Sequence, residues 1–101
     1  MQKAKTRAEI LFGASYLKIV EIQRLLVCSR TEAKRIHDLA LQYDKEKDGK
    51  WIVNPVNPKK ETVLMIANTT FKYLKDQVLL EEQIKKMRTL LHSNPQTQGD
   101  Q

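Results

Sequence analysis

The stretch Glu21-Ile-Gln-Arg-Leu-Leu-Val-Cys-Ser-Arg-Thr-Glu-Ala-Lys-Arg-Ile36 decides the fold, because it is typical of two helices joined by a very tight turn. In its first half, Ile22 is followed by Leu25 and Leu26 at helical spacing, so all three lie on one face of a first helix. This periodicity then stops for two residues, where we place the turn.

A capping signal marks the second helix. Ser29 is followed three residues later by Glu32, which is the spacing of a capping box. In that motif the serine oxygen accepts from the glutamate amide, and the glutamate carboxylate accepts from the serine amide. A helix is therefore predicted to begin at about Arg30 and to continue to about Lys45. Its apolar face consists of Ala33, Ile36, Ala40 and Tyr43.

The opposite face of this second helix is polar and mostly basic. A short helix, a tight turn and a capped helix with basic and hydroxyl side chains in its first turns form the layout of a helix-turn-helix. The second helix of such a unit enters the DNA major groove, with its N-terminal residues nearest the base edges. Asp38 shares this face, and the candidates for DNA binding on it are Arg30, Thr31, Lys34 and Arg35.

The residues from Tyr16 to Ile36 resemble the opening of excisionase-like and MerR-like DNA-binding domains. Those families typically begin with a tyrosine–leucine pair, continue with a glutamate and a branched residue, and place leucine, glycine, valine, serine and arginine around the turn. The resemblance covers about residues 16–60. The matching positions are Tyr16, Leu17, Glu21, Ile22, Leu26, Ser29, Arg30, Ala33 and Ile36.

Three positions depart from the family pattern. Val27 stands where the turn glycine is usual, Gln23 where a small alanine is usual, and Glu32 where threonine is common. Val27 bears most on the turn, because a β-branched residue is costly at positive φ. The resemblance implies a winged helix-turn-helix that binds double-stranded DNA and belongs to a phage or another mobile element. In MerR-like proteins a C-terminal helix also pairs two subunits.

A wing is expected at 45–56. The charged run there ends in Asp48-Gly49, a strong turn signal, and Lys50-Trp-Ile-Val53 is β-prone. We predict a hairpin from Asp48 to Pro55, with Trp51 covering the core. The segment also fits a solvated loop. Wing lysines would bind backbone phosphates without reading sequence, and the candidates are Lys45, Lys47 and Lys50.

The segments before and after the turn complete one domain. Residues 1–14 are expected to be a basic arm or a short helix that ends at Gly13, and we favour a solvated charged face over contact with phosphates. Residues 15–68 form the helix-turn-helix domain. Within it, Asn57 and Pro58 suit the N-cap and first position of a third helix.

The segment 69–92 is predicted to be a long helix that associates with a second copy. Its apolar positions alternate at spacings of four and three residues, and packing on the chain's own core is the alternative. We prefer self-association, because the helix-turn-helix is already a small closed unit. Residues 93–101 are polar and expected to be disordered. The dimer-interface candidates are Tyr73, Gln77, Leu80, Ile84, Met87 and Leu91.

Composition restricts the functions that the chain can have. A net charge of +6 over 101 residues favours a polyanionic partner. No apolar run spans a membrane and no signal-peptide pattern is present, so we expect a cytoplasmic, nucleoid-associated protein in a bacterial cell or phage-infected host. Cys28 is expected to be a small buried apolar residue. No metal-ligand spacing, phosphate loop or nucleophile–base pair is found, so we expect no metal, no cofactor and no enzymatic activity.

The sequence thus predicts a mainly α, winged helix-turn-helix with a long C-terminal helix, which binds specific duplex DNA as a homodimer or higher homo-oligomer. A transcriptional regulator would bind palindromic half-sites, whereas an excisionase-type factor would bind repeats and bend them for an integrase. An accessory protein in phage replication or packaging is a further DNA role. A helical protein–protein interaction module is the alternative from another class, although it need not concentrate basic residues at the start of the capped helix.

Overall fold

The chain is mainly helical, as predicted, in the computed structural model, which describes residues 5–93. Apart from one isolated bridge between Tyr16 and Lys59, no β-structure is found in that range. A single 3-10 turn at Gly49–Trp51 follows the third helix. The helices are α1 (Arg7–Gly13), α2 (Ile19–Leu26), α3 (Arg30–Asp48), α4 (Lys60–Ile66) and α5 (Phe71–Ser93).

One hydrophobic core is shared by α1, α2, α3, α4 and the start of α5. Each helix turns its apolar stripe inward, because burying that stripe is the main favourable term in folding. From α5 only the first two turns take part. The fully or almost fully buried core side chains are Ile10, Leu11, Leu17, Ile22, Leu25, Ala33, Ile36, Ala40, Val63, Leu64, Leu74 and Val78.

Asp44 of α3 fixes the start of α4. Its buried carboxylate accepts from the Lys59 amide at 2.8 Å and from the Thr62 hydroxyl at 2.6 Å. The predicted N-cap at Asn57 is therefore wrong, since α4 begins at Lys60 and a side chain fifteen residues away caps it. The Asn57 side chain bonds His37 Nε2 instead, at 3.1 Å.

The predicted hairpin wing is not formed in the described part of the chain. Helix α3 runs through the expected hairpin start to Asp48 and ends at Gly49, whose φ of 56° suits a residue without a side chain. The Asn54 side chain then accepts from the amides of Val56 and Asn57, at 3.0 and 2.9 Å. These bonds hold the chain in a turn, as Asn side chains commonly do, where the second strand would have to lie.

Trp51 is also placed differently from the prediction. It was expected to cover the core, but 78% of its surface is exposed. The turn at Gly49–Trp51 directs it away from the body, and the loop after it supplies no strand for it to pack on.

Arg7 fixes α5 relative to the end of α2. Its guanidinium donates to the Leu25 carbonyl at the end of α2 from both Nε (3.0 Å) and Nη2 (2.8 Å). It also donates to the side chains of Gln77 and Glu81 on α5. The Thr70 hydroxyl accepts from the Tyr73 amide at 3.1 Å and so caps the start of α5.

Candidate nucleic-acid interface

The turn between α2 and α3 depends on a strained valine. Val27 has φ 53° and ψ 57°, which is the left-handed region, and its amide and that of Cys28 both donate to the Gln23 carbonyl. This conformation costs a residue with a Cβ roughly 1–2 kcal/mol. The Val27 side chain is exposed, so the turn keeps its tight geometry without the usual glycine and gains little burial in return.

The predicted cap of α3 is half formed. The Ser29 hydroxyl accepts from the Glu32 amide at 3.1 Å, and α3 begins at Arg30 as expected. The Glu32 carboxylate binds the Arg35 guanidinium, rather than closing the reciprocal half of the motif. The start of α3 is thus held by one serine cap, and the glutamate restrains a basic side chain on the outer face.

The packing of α3 decides which side chains can reach a ligand. Ala33, Ile36 and Ala40 are buried, so the opposite face of the helix lies in solvent. Thr31, Lys34, Asp38 and Lys45 follow one another at intervals of three, four and seven residues, which places them on that same outer face. We call this exposed surface the α3 outer face; it consists of Arg30, Thr31, Lys34, Arg35, Asp38, Gln42 and Lys45.

Two of the predicted contact residues are paired with acids of their own helix. Lys34 Nζ lies 3.1 Å from Asp38 Oδ2, and Arg35 binds Glu32. The hydrogen bond from Lys34 lowers the pKa of Asp38, and the hydrogen bond from Arg35 lowers the pKa of Glu32. Both acids are therefore ionised at neutral pH, and they offset part of the positive charge of this face.

Arg30 and Thr31 differ from these pairs. Within residues 5–93 neither side chain has a hydrogen-bond or ion-pair partner, and both are exposed at the N-terminal end of α3. The helix end also carries partial positive charge, which favours anions. At this end of the outer face, these two side chains are thus the donors that are available without breaking an internal pair.

The structure separates the three predicted wing lysines. Lys45 lies on the α3 outer face. Lys47, two residues later, is rotated about 200° around the helix, and its Nζ lies 5.9 Å from the Tyr43 ring. Lys50 stands on the 3-10 turn with its Nζ 5.4 Å from the Trp51 ring. Of the three lysines, Lys45 alone shares the α3 outer face with the DNA-binding candidates at the start of the helix.

Sequence reasoning missed the exposure of Trp51. A signal for it was present, because Asn54-Pro-Val-Asn-Pro58 leaves too little uninterrupted chain for a partner strand. A β-prone run without a partner strand cannot bury both of its faces. Trp51 therefore belongs to the surface that can contact a ligand, together with Lys50.

His37 and Cys28, the other chemically active side chains near the turn, are used in packing. His37 is buried, and its Nδ1 lies 3.5 Å from Asp38 Oδ1. Cys28 is half-buried, and burial, followed by the charge of Glu32, raises the pKa of its thiol, so it stays protonated at neutral pH. No group of three or more potential metal ligands occurs among residues 5–93.

The predicted stripe runs along the outer surface of α5, from its first turn toward its C-terminal end. Tyr73, Leu80, Ile84, Met87 and Leu91 are exposed. Gln77, the polar position of the stripe, is half-buried: its amide donates to the Tyr73 hydroxyl at 3.0 Å and its carbonyl oxygen accepts from Arg7. The apolar surface of α5 is thus divided between the chain's own core and solvent.

The comparisons with known proteins add no identification to this geometry. In the described range, no helix combines the length and apolar character needed to cross a bilayer. The chain matches no protein-family model, no curated protein and no solved structure at a significant level.

Proposed function

We propose that this chain is a sequence-specific double-stranded DNA-binding protein, with the α3 outer face in the major groove. The observation that carries the proposal is the tight, capped turn that presents Arg30 and Thr31, unpaired and exposed, at the start of a helix with three basic side chains among its first six residues. An arginine in this position can bond guanine O6 and N7 together, which discriminates against other bases by about 1–3 kcal/mol.

The proposed roles follow from the pairing of each side chain. Arg30 and Thr31 read base edges. Lys34 and Arg35 release their ion-pair partners, Asp38 and Glu32, and then bind phosphates or bases of the DNA. Lys45 binds a backbone phosphate at the far end of the helix. The protein acts as a non-enzymatic binder in the cytoplasm, associated with the nucleoid.

The biological setting is proposed from the resemblance to excisionase-like and MerR-like domains over about residues 16–60. It supports a transcriptional regulator or an excisionase-type factor of a phage or mobile element. The exposed stripe of α5 supports a homodimer, and a dimer of this kind would bind two half-sites about 34 Å apart, one turn of DNA. An accessory role in phage replication or packaging uses the same DNA chemistry.

The proposal is tested by selecting bound sequences from a randomised pool of duplex DNA. Binding is measured over a range of salt concentrations, and the mass of the protein in solution is measured in parallel. We expect an enriched motif. Dyad symmetry bound by a dimer would identify a regulator, and direct repeats would identify an excisionase-type factor. Weak binding without enrichment, lost as salt rises, would overturn sequence-specific binding.

Two lysines near the end of α3 test whether the α3 outer face binds DNA, because Lys45 lies on that face and Lys47 lies on another side of the helix. Lys45→Ala should weaken binding to all sequences and reduce the magnitude of the salt slope by about 1, because one phosphate contact is lost. Lys47→Ala, the matched control, should leave the affinity unchanged. Arg30→Ala should reduce the preference for the selected motif. Equal effects of the two lysine variants on affinity would contradict the assignment of the α3 outer face as the DNA-binding surface.

A helical protein–protein interaction module is a second candidate, and specific observations favour it. Two basic side chains of the α3 outer face are already neutralised by their own helix, and α5 exposes Leu80, Ile84 and Met87. This candidate predicts stable association through α5 with no enrichment in the DNA selection.

A further inference from the structure

The loop that follows α3 exposes apolar surface that nothing in the described chain covers. Trp51 is 78% exposed, and Val53 and Val56 in the same loop are 76% and 67% exposed. Soluble proteins seldom leave adjacent large apolar side chains in water, so such a group commonly marks a contact with a partner.

The charges around this loop favour an anionic partner. Lys50 Nζ lies 5.4 Å from the Trp51 ring, and neither Lys50 nor Lys45 has an acidic partner within residues 5–93. The nearby acids are already engaged: Asp44 and Asp48 bind groups at the start of α4, and Glu46 accepts from Gln42 at 3.2 Å. An aromatic ring beside an unpaired lysine matches a nucleic acid, whose phosphates lie next to sugars and to base steps that an apolar side chain can enter.

The position of Lys45 brings this loop close to the DNA of the proposed function. Lys45 lies on the α3 outer face, and Trp51 follows it by six residues, in the 3-10 turn directly after α3. A duplex whose backbone is bound by Lys45 therefore lies near the loop that carries Trp51.

We propose that Trp51 is a second DNA contact, whose indole packs against the bases or sugars of the bound duplex while Lys50 neutralises an adjacent phosphate. This inference rests on the proposed function and supplies the element that the missing hairpin wing would have provided. Apolar side chains inserted at a base step locally unstack it and bend the duplex. The contact would therefore add affinity with little dependence on the exact sequence.

Fluorescence of the full chain tests this contact directly, because Trp51 is the only tryptophan. A 30-base-pair duplex is titrated into the protein while Trp51 emission and the anisotropy of a labelled duplex are recorded. We expect emission to be quenched in step with binding. Trp51→Ala should weaken binding about tenfold, Trp51→Phe should retain most of the affinity, and the α5 control Lys75→Ala should behave as the unmodified chain. Circular dichroism and thermal unfolding of Trp51→Ala check that its fold is intact, as expected for so exposed a residue.

The outcomes separate this inference from the proposed function. Normal DNA binding with unchanged emission and an unaffected Trp51→Ala variant would overturn the Trp51 contact and leave DNA binding in place. No binding even at low salt would overturn both. A change of emission with protein concentration in the absence of DNA would show that a second copy covers Trp51, and would also overturn the DNA contact.

Discussion

Val27 holds the turn between α2 and α3 in a conformation that its branched side chain disfavours. Its φ of 53° brings the Cβ close to the following carbonyl oxygen, and its side chain lies in solvent, with 72% of its surface exposed. The turn is therefore maintained by the packing of the two helices on either side of it. The conformational strain at Val27 therefore lowers the stability of the fold, and removing it should raise that stability.

Replacing Val27 by glycine should stabilise the protein. Glycine removes a strain of roughly 1–2 kcal/mol and adds a chain-entropy cost of about 0.5–1 kcal/mol, so we expect a net gain of about 0.5–1 kcal/mol. Thermal and denaturant unfolding measure it, and Tm should rise by a few degrees.

The matched control is Val20→Gly, the same substitution at a half-exposed position in the first turn of α2, where φ is negative. It should destabilise the fold, since glycine has a lower helix propensity than valine and no strain is relieved at this position. If Val27→Gly lowered stability by a similar amount, the left-handed turn would not be a strained position.

At the level of the helices, α5 combines two environments along one continuous element. Leu74 and Val78 pack into the core, and Arg7 ties Gln77 and Glu81 to the end of α2. Farther along, Leu80, Ile84 and Met87 are exposed. The first part of α5 is anchored to the body, and the second part exposes an apolar surface to solvent.

Met87→Glu should prevent self-association through this surface. A carboxylate placed in an apolar interface loses hydration without gaining a partner, so the variant should sediment as a monomer at concentrations where the unmodified chain is a dimer. Thr89→Glu adds the same charge to the same helix about 200° away, and should leave the dimer intact. Identical sedimentation of Met87→Glu and the unmodified chain would contradict this role for α5.

Local sequence signals predicted most of the helices. They failed at positions whose structure depends on residues far away in the sequence. The apolar spacing of α2 and the serine cap of α3 are short-range features, and both could be read directly. The start of α4 could not be, because Asp44 caps it from another helix. The hairpin prediction relied on an Asp-Gly turn signal, yet Gly49 terminates α3, since a glycine with positive φ serves a helix end as well as a hairpin.

The same limit applies to the candidate site. Helical periodicity correctly placed Arg30, Thr31, Lys34 and Arg35 in solvent, since burial of the opposite face fixes their direction. It could not show that Lys34 and Arg35 are ion-paired, because rotamers decide between a neighbouring carboxylate and water.

Across the whole molecule, the net charge is +6, from 18 basic and 12 acidic side chains. The molecule is elongated, with extents of 67 × 32 × 23 Å. The outer face of α3 carries both signs of charge. Asp38 keeps its charge well into the acid range because Lys34 lowers its pKa, and the pair is lost only as pH falls through that lowered pKa. At neutral pH this acid opposes the approach of a phosphate backbone.

Asp38→Asn should therefore increase affinity for DNA of any sequence. The substitution releases Lys34 for a phosphate and removes a repulsive charge, so affinity should rise several-fold and the salt slope should steepen by up to about 1. Asp76→Asn removes a comparable acid, paired with Lys72 at four-residue spacing on α5, and should have little effect. Competition titrations at several salt concentrations measure both. An equal rise in the two variants would indicate a response to net charge alone.

The two faces of α3 have different roles, and this difference has a consequence for evolution. Its inward residues hold the protein together, and Asp44 even organises the next helix, whereas its outward residues contribute almost nothing to folding. Surface substitutions of this kind usually change stability by less than about 0.5 kcal/mol. Arg30 and Thr31 can therefore change without a penalty in stability. On the proposed function, a lineage carrying this scaffold would then acquire a new genomic target through one or two codon changes.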